Sequence, residues 1–256
     1  MAFNMTIGII GFGNLGRALA SGLIASGSAR GSEIFICEKS PEACAIAEND
    51  PYNANVSGDV NYVAGNSDII FLALKSNVFE EIAAIIDRHG LNGKTVVSFM
   101  AGVSFEKIYS LIGDVALVRA MPSLAISVCD GIIGYTKAPP EAEIIFHKLG
   151  YAFETDQEGI GKVTAFSGCG LGFAAYLIDA YAAAGQTMGF SPETSAHIAA
   201  LTFRNAVSRG DFKSTVKSVA TPGGATEQGV LHMDACGVCD IVAGAVRKAY
   251  DKMGGV

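Results

Sequence analysis

Cationic charge is scarce in this 256-residue chain: eighteen Lys and Arg stand against twenty-five Asp and Glu, a formal net charge of −7. A surface of that sign repels phosphate backbones and anionic headgroups, which argues against nucleic acid and against a membrane as partner. Charge of either sign is thin, at 17 % of residues, while half of the residues are hydrophobic. That balance excludes a disordered or fibrous chain. No Lys or Arg precedes Arg17, so the charged segment that opens a secretory signal is missing, and a cytoplasmic location is expected. The six cysteines (Cys37, Cys44, Cys129, Cys169, Cys236 and Cys239) form no dense pairing framework, which points to free thiols. Cys236 and Cys239 have redox or half-zinc spacing, yet no second Cys-x-x-Cys accompanies them. His89, His147, His197 and His232 show neither metal-ligand spacing nor a nucleophile to serve as bases for, so no metal site is expected. The longest apolar stretch, 168–185, is interrupted by Asp179 and falls short of the ~20 residues a membrane span needs. It reads instead as a helix buried at a subunit seam.

What is present is an alternation. Up to about residue 154, short apolar runs trade places with amphipathic stretches: strands at 7–10, 34–37, 69–74, 95–99, 116–120 and 131–136, and helices at 15–26, 41–49, 78–89 and 104–111. The run 69–74 is apolar on both faces, as a central parallel strand must be. Ser40 stands as the cap of the second helix. Such an order implies right-handed crossovers and a doubly wound sheet. Beyond residue 157 the texture becomes helical, with long helices at 163–188, 191–208 and 227–252 and a turn at 221–224. Two domains follow, 1–158 as an α/β dinucleotide-binding part and 159–256 as an all-helical part. The second is thin, apolar and rich in Ala and Gly, so a dimer is expected.

Gly11-Phe12-Gly13-Asn14-Leu15-Gly16 follows a strand and opens a helix. In that setting the first glycine makes the turn, the second lets the backbone approach a pyrophosphate, and the third lets helix and strand pack closely. Glu38 ends the second strand, where an acidic residue bonds the adenosine ribose and would repel a 2′-phosphate. Lys39 follows at once and is the residue that would pair with such a phosphate. Both also read as ordinary strand-end charges, and the choice between NADH and NADPH stays open. Lys75 and Arg119-Ala120-Met121-Pro122 close strands at the carboxyl edge, where ligands of these sheets bind. Thr221-Pro222-Gly223-Gly224-Ala225-Thr226 places two hydroxyls around a turn whose N–H groups suit a small carboxylate. A Thr-capped helix–helix turn is the plainer reading of the same residues.

These pieces, with Leu72-Ala73-Leu74-Lys75, Ala101-Gly102 and 163–168 in the same order, resemble the pyrroline-5-carboxylate reductase family over nearly the whole chain. The resemblance implies a Rossmann-like domain followed by a helical, interlocking dimerisation domain, with rings of dimers in some members. It implies NADH- or NADPH-dependent reduction of 1-pyrroline-5-carboxylate to L-proline. Carried over, Thr226 becomes the catalytic residue, its hydroxyl on the substrate ring nitrogen. Thr221 joins the N–H groups of Gly223, Gly224 and Ala225 around the substrate carboxylate. Ala73, Leu74, Lys75, Ala101 and Gly102 lie along the cofactor. The chain departs from the family pattern at Ser76-Asn77, at Ser123-Leu124-Ala125 and at Cys169-Gly170-Leu171-Gly172. Those departures keep two rivals in view: a reductase of another small cyclic imine or 2-oxo acid, and a catalytically weak paralogue that only binds dinucleotide.

Overall fold

The computed structural model of the chain describes residues 5–49 and 51–253. Its first part is an eight-stranded sheet in the order β3-β2-β1-β4-β5-β6-β7-β8. The strands are β1 (Ile7–Ile10), β2 (Ile34–Cys37), β3 (Asn55–Ser57), β4 (Ile69–Leu72), β5 (Thr95–Ser98), β6 (Ala116–Pro122), β7 (Gly131–Tyr135) and β8 (Gly150–Glu154). The first six run parallel; β7 pairs antiparallel with β6, and β8 parallel with β7. All four residues of β1 and of β4 are buried, because helices cover both faces of a parallel sheet.

The period of two sorts the strand residues onto those faces. Ile7, Ile9, Phe71, Val97 and Val118 share one core with α1 (Asn14–Ala25), α2 (Pro41–Glu48) and α6 (Pro140–Leu149). Ile10, Ile70, Leu72, Val96 and Leu117 share the other with α3 (Val60–Gly65), α4 (Ser76–Ala83) and α5 (Phe105–Ile112). The order reverses beside β1, whose neighbours β2 and β4 lead away in opposite directions. Ligands of doubly wound sheets bind at that switch point.

Several local expectations change. β4 stops at Leu72, and Lys75 is the N-cap of α4 rather than the end of a strand. The helix predicted over 78–89 spans only Ser76–Ala83 before turns take over. The one predicted over 163–188 is three pieces: α7 (Gln157–Val163), a π-helical turn at Thr164–Gly168, and α8 (Gly170–Thr187). The last predicted helix breaks at Cys236–Gly237 into α11 (Ala225–Ala235) and α12 (Val238–Lys252), bent by 48°. Gly237, at φ +69°, supplies the left-handed turn that stops α11.

Contacts divide the chain into two compact units, one of residues 1–168 with 250–256 and one of residues 169–249. The first unit keeps α7 with the sheet, because Ile160 and Val163 pack on Met121 of β6. The second holds α8, α9 (Pro192–Ser208), α10 (Phe212–Val219), α11 and most of α12. Ser191 and Asp211 cap α9 and α10, their side chains accepting the N–H of Thr194 (3.1 Å) and Ser214 (2.9 Å). α8 and α9 form a hairpin in which Gly185 lies against Ser195 and the rings of Tyr181 and Phe203 meet edge to face at 5.8 Å. By length and composition, the stretch Gln157–Thr187 is apolar enough to cross a membrane.

Candidate active site

The glycine loop sits where β1 meets the ends of β2 and β4. The Gly11 N–H donates to the Cys37 carbonyl (3.0 Å), and the Ala73 N–H donates to the Ile10 carbonyl (2.9 Å). Gly11 has φ +97°, and a Cβ there would stand 2.6 Å from the Ala73 carbonyl oxygen, so no side chain is possible. A Cβ on Gly16 would strike the Gly11 carbonyl, which fixes how closely α1 follows the loop. Gly13 is different: nothing lies within 4 Å of where its Cβ would be. It is the N-cap of α1 and no side chain caps that end. The first N–H groups of α1 thus face open space, as a pyrophosphate requires.

Glu38 ties this loop to the end of β2. Its Oε2 accepts the N–H of Phe12 (3.1 Å), and its Oε1 accepts those of Lys39 (2.8 Å) and Ser40 (2.9 Å). Partial burial works against the charge. The three backbone donors, with the positive field of Arg17, outweigh it and hold the carboxyl below its ordinary pKa. Arg17 itself donates from Nε to the Phe12 carbonyl (3.1 Å) and lies over the Phe12 ring at 5.7 Å.

A cleft of about 230 Å³ opens beside Glu38, with Gly11, Lys39 and Glu81 among its walls and Leu74, Val78, Ile82 and Ile85 as its apolar side. Cys37 also lines it, but burial pushes that thiol up to about 11, so it is a packed, protonated group and not a nucleophile. Lys75, Ala101 and Gly102 are exposed just beyond β4 and β5, and Gly102 turns the chain at φ +67°. The structure thus gathers Gly11, Glu38, Lys39 and Leu74 around one cleft and sets the other dinucleotide-side residues along the same sheet edge. Arg17, Val78, Glu81, Ile82 and Ile85 were not singled out from the sequence. The four aliphatic and acidic positions of α4 and the turn after it look, in sequence, like one ordinary amphipathic helix.

Arg119 stands opposite Ser98, the last residue of β5, at that same edge, but it does not line the cleft. Its guanidinium is buried in β6 at 1 % exposure, and none of its three nitrogens has a hydrogen-bond partner among the described residues. Burial lowers its pKa, and the charge of Glu106 offsets this only in part.

In the helical unit, residues 221–226 form a tight turn into α11. Gly224 is its N-cap and Gly223, at φ +75°, makes the turn. Two of the donors already have acceptors in the chain: the Gly223 N–H bonds to Oε2 of Glu227 (2.7 Å) and the Gly224 N–H to the Thr221 carbonyl (2.9 Å). Ala225 and Thr226 occupy the first helical positions, where N–H groups have no intrahelical acceptor, and both are exposed. Glu227 is another residue the sequence reading passed over. Its position three residues after the N-cap is the spacing at which an acidic side chain folds back on the helix start.

Residues 157–255 match the family model described as pyrroline-5-carboxylate reductase dimerisation. Residues 6–102 match that described as NADP oxidoreductase, coenzyme F420-dependent. The chain is similar to the pyrroline-5-carboxylate reductase of Escherichia coli K12, 30 % identical over 260 residues and covering 96 % of each chain. It is similar also to that of Aquifex aeolicus, 28 % identical over 262 residues, 97 % of this chain and 96 % of the relative. Among solved structures, the pyrroline carboxylate reductase of Plasmodium falciparum with NADP bound superposes with a TM-score of 0.87 at 23 % identity. That superposition covers 98 % of this chain and 97 % of the other. At such an identity the likeness speaks for the fold.

Proposed function

The chain belongs to the pyrroline-5-carboxylate reductase family, and we infer that it reduces 1-pyrroline-5-carboxylate to L-proline with NADH or NADPH, the last step of proline synthesis. One observation carries this reading: a relative 30 % identical over 96 % of both chains bears that activity in its name. The open Gly13 and uncapped helix start of the glycine loop support it.

When bound, the reduced nicotinamide supplies the hydride that turns C=N into CH–NH. The protein has no covalent chemistry to perform. It holds two reactants in register and supports the charge on the imine nitrogen. The first N–H groups of α1 take the pyrophosphate, and Leu74, Val78, Ile82 and Ile85 give the adenine an apolar wall. Ala73, Lys75, Ala101 and Gly102 lie along the rest of the dinucleotide. Thr226 hydrogen-bonds the substrate ring nitrogen, and Thr221 with the N–H groups of Gly223, Gly224 and Ala225 receives the substrate carboxylate. Because the Gly223 N–H is already bonded to Glu227 and the Gly224 N–H to the Thr221 carbonyl, carboxylate binding there includes displacement of the Glu227 side chain and opening or sharing of the Thr221–Gly224 bond. Protonated imines accept hydride readily, which fits a site built from hydroxyls and backbone donors without a catalytic histidine.

The helical part, 159–256, serves as the substrate and dimerisation domain, and the chain works as a homodimer or a ring of dimers in the cytoplasm. The exposed apolar residues of α8 to α12 support association with a second copy rather than with lipid, since the chain carries a net charge of −7. Steady-state oxidation of NADH and of NADPH with 1-pyrroline-5-carboxylate, beside a panel of other cyclic imines and 2-oxo acids, tests the reading. Pyrroline-5-carboxylate should give the highest kcat/KM; a faster substrate in the panel would reassign the reaction.

A further inference from the structure

We propose that Glu38 makes this chain selective for NADH, because its carboxylate fills the backbone donors that a 2′-phosphate on the adenosine ribose would need. The proposal rests on the dinucleotide-binding reading above and adds to it which dinucleotide is taken.

Three N–H groups converge on this one side chain, from Phe12 in the glycine loop and from the successive residues Lys39 and Ser40. Two consecutive N–H groups at a strand end, just before a helix, are the kind of backbone concavity that otherwise receives a phosphate oxygen. Here both bond to Oε1 of Glu38, at 2.8 and 2.9 Å. A carboxylate offers about four lone-pair sites. Three are used, so one remains, on Oε2, and it can only accept. A ribose hydroxyl has a proton to give to it. A phosphate monoester near neutral pH is close to doubly charged and is an acceptor itself, so it would meet a fixed negative charge where the three backbone donors are already taken.

The cations nearby do not reverse this. Arg17 gives its Nε to the Phe12 carbonyl and lies over the Phe12 ring, and it does not line the cleft. Lys39 lines the cleft, but so does Glu81, and the field of Arg17 already acts on Glu38, so two cations stand against two carboxylates and no net positive charge is left for a phosphate. Like charge at that range suppresses the wrong ligand more than it strengthens the right one.

The test is binding, read by the fluorescence of the reduced nicotinamide on the full chain without substrate. The wild-type chain should bind NADH at least about tenfold more tightly than NADPH. Glu38→Ser, which frees the Lys39 and Ser40 N–H groups and removes the charge, should move that ratio toward NADPH by a similar factor, with Glu38→Gln in between. Competition of ADP and 2′-phospho-ADP against NADH on the wild-type chain gives the same discrimination without any variant, should Glu38→Ser not fold. Equal or tighter binding of NADPH by the wild-type chain overturns the proposal and leaves the dinucleotide site standing. Binding of neither dinucleotide overturns both.

Discussion

Phe71, in the middle of the parallel sheet, has no exposed surface; Tyr176, in the middle of α8, is 75 % exposed. The contrast extends through both units. The α/β unit sorts its strand residues into two cores that helices close on either side. Among the described residues 169–249, only Ala182, Ser195 and Ala199 are buried, while Leu171, Tyr176, Met188, Phe212 and Ile241 are open. A helical layer that buries so little cannot repay the conformational entropy of ordering about eighty residues. Its apolar surface needs cover, and the match of 157–255 to a dimerisation family says what kind of cover this architecture uses. One unit folds by its own pattern, whereas the other leaves apolar surface for oligomerisation to cover.

Phe71→Ala should cost ~3–5 kcal/mol in denaturant unfolding at any protein concentration, since it leaves a cavity between sheet and helices. Tyr176→Ala should cost little in dilute solution, and its cost should grow with protein concentration because it acts through association. Equal, concentration-independent losses for both would mean that the helical unit has its own closed core.

A division of labour between the units makes the next claim. Thr226→Ala should lower kcat/KM for 1-pyrroline-5-carboxylate by roughly 10²-fold, the size of effect seen when one hydrogen-bond donor to a charged reacting group is removed. The dissociation constant of the reduced dinucleotide should not move, because every residue proposed to hold it lies in the α/β unit. A parallel loss of dinucleotide affinity would show that 221–226 is not a separate substrate element.

How much of this was legible in the sequence follows from the same contrast. β1, β2 and the Ser40 cap stand out because parallel strands buried on both faces leave unbroken apolar runs, and a cap has a fixed offset; the Ser40 hydroxyl does accept the Ala43 N–H (3.5 Å). β3 does not stand out. Asn55, Val56 and Ser57 are half-buried at the sheet edge, where polar residues are tolerated and the apolar signal fades. β8 is the other edge, entered through Gly150 and carrying an exposed Tyr151, and it was missed for the same reason. The π-helical turn at Thr164–Gly168 changes the hydrogen-bond step without changing residue type, so no periodicity reports it. At the site, the glycine loop was readable because each glycine answers a steric demand. Glu227 on the Gly223 N–H was not, since a carboxylate at a helix start reads first as a solvated charge.

The α/β unit is not uniformly well satisfied, and Arg119 is where its advantage can be reduced or enlarged. A guanidinium buried at 1 % exposure with no acceptor among the described residues is a cost carried by the fold. Arg119→Met keeps the length and apolar stem without the charge. It should raise stability by ~1–2 kcal/mol, within the range found when buried charges are replaced by apolar side chains. The same variant should leave the dinucleotide dissociation constant unchanged. A loss of ~3 kcal/mol or more would mean instead that the guanidinium has a partner in solution and that removing it strands that partner.

The smallest effect concerns the carboxylate that joins the glycine loop to β2. Glu38 is half-buried, and its pKa is held below the ordinary value of 4.5, against partial burial, by three backbone donors and Arg17. A depressed native pKa stabilises the fold fully only above the unfolded value, and that contribution disappears as the pH falls through the native one. Glu38→Gln should therefore be less stable than the wild type at neutral pH by about 1 kcal/mol, a figure kept small by solvent screening at a partly exposed group. Below pH 4.5 the two unfolding curves should begin to converge, and they should meet once the pH has fallen through the lower native pKa, where the wild-type carboxyl loses the charge that the variant never had. A gap that persists unchanged into acid would assign the stabilisation to the shape of the side chain rather than to its charge, and would remove the electrostatic support under this turn of the α/β unit.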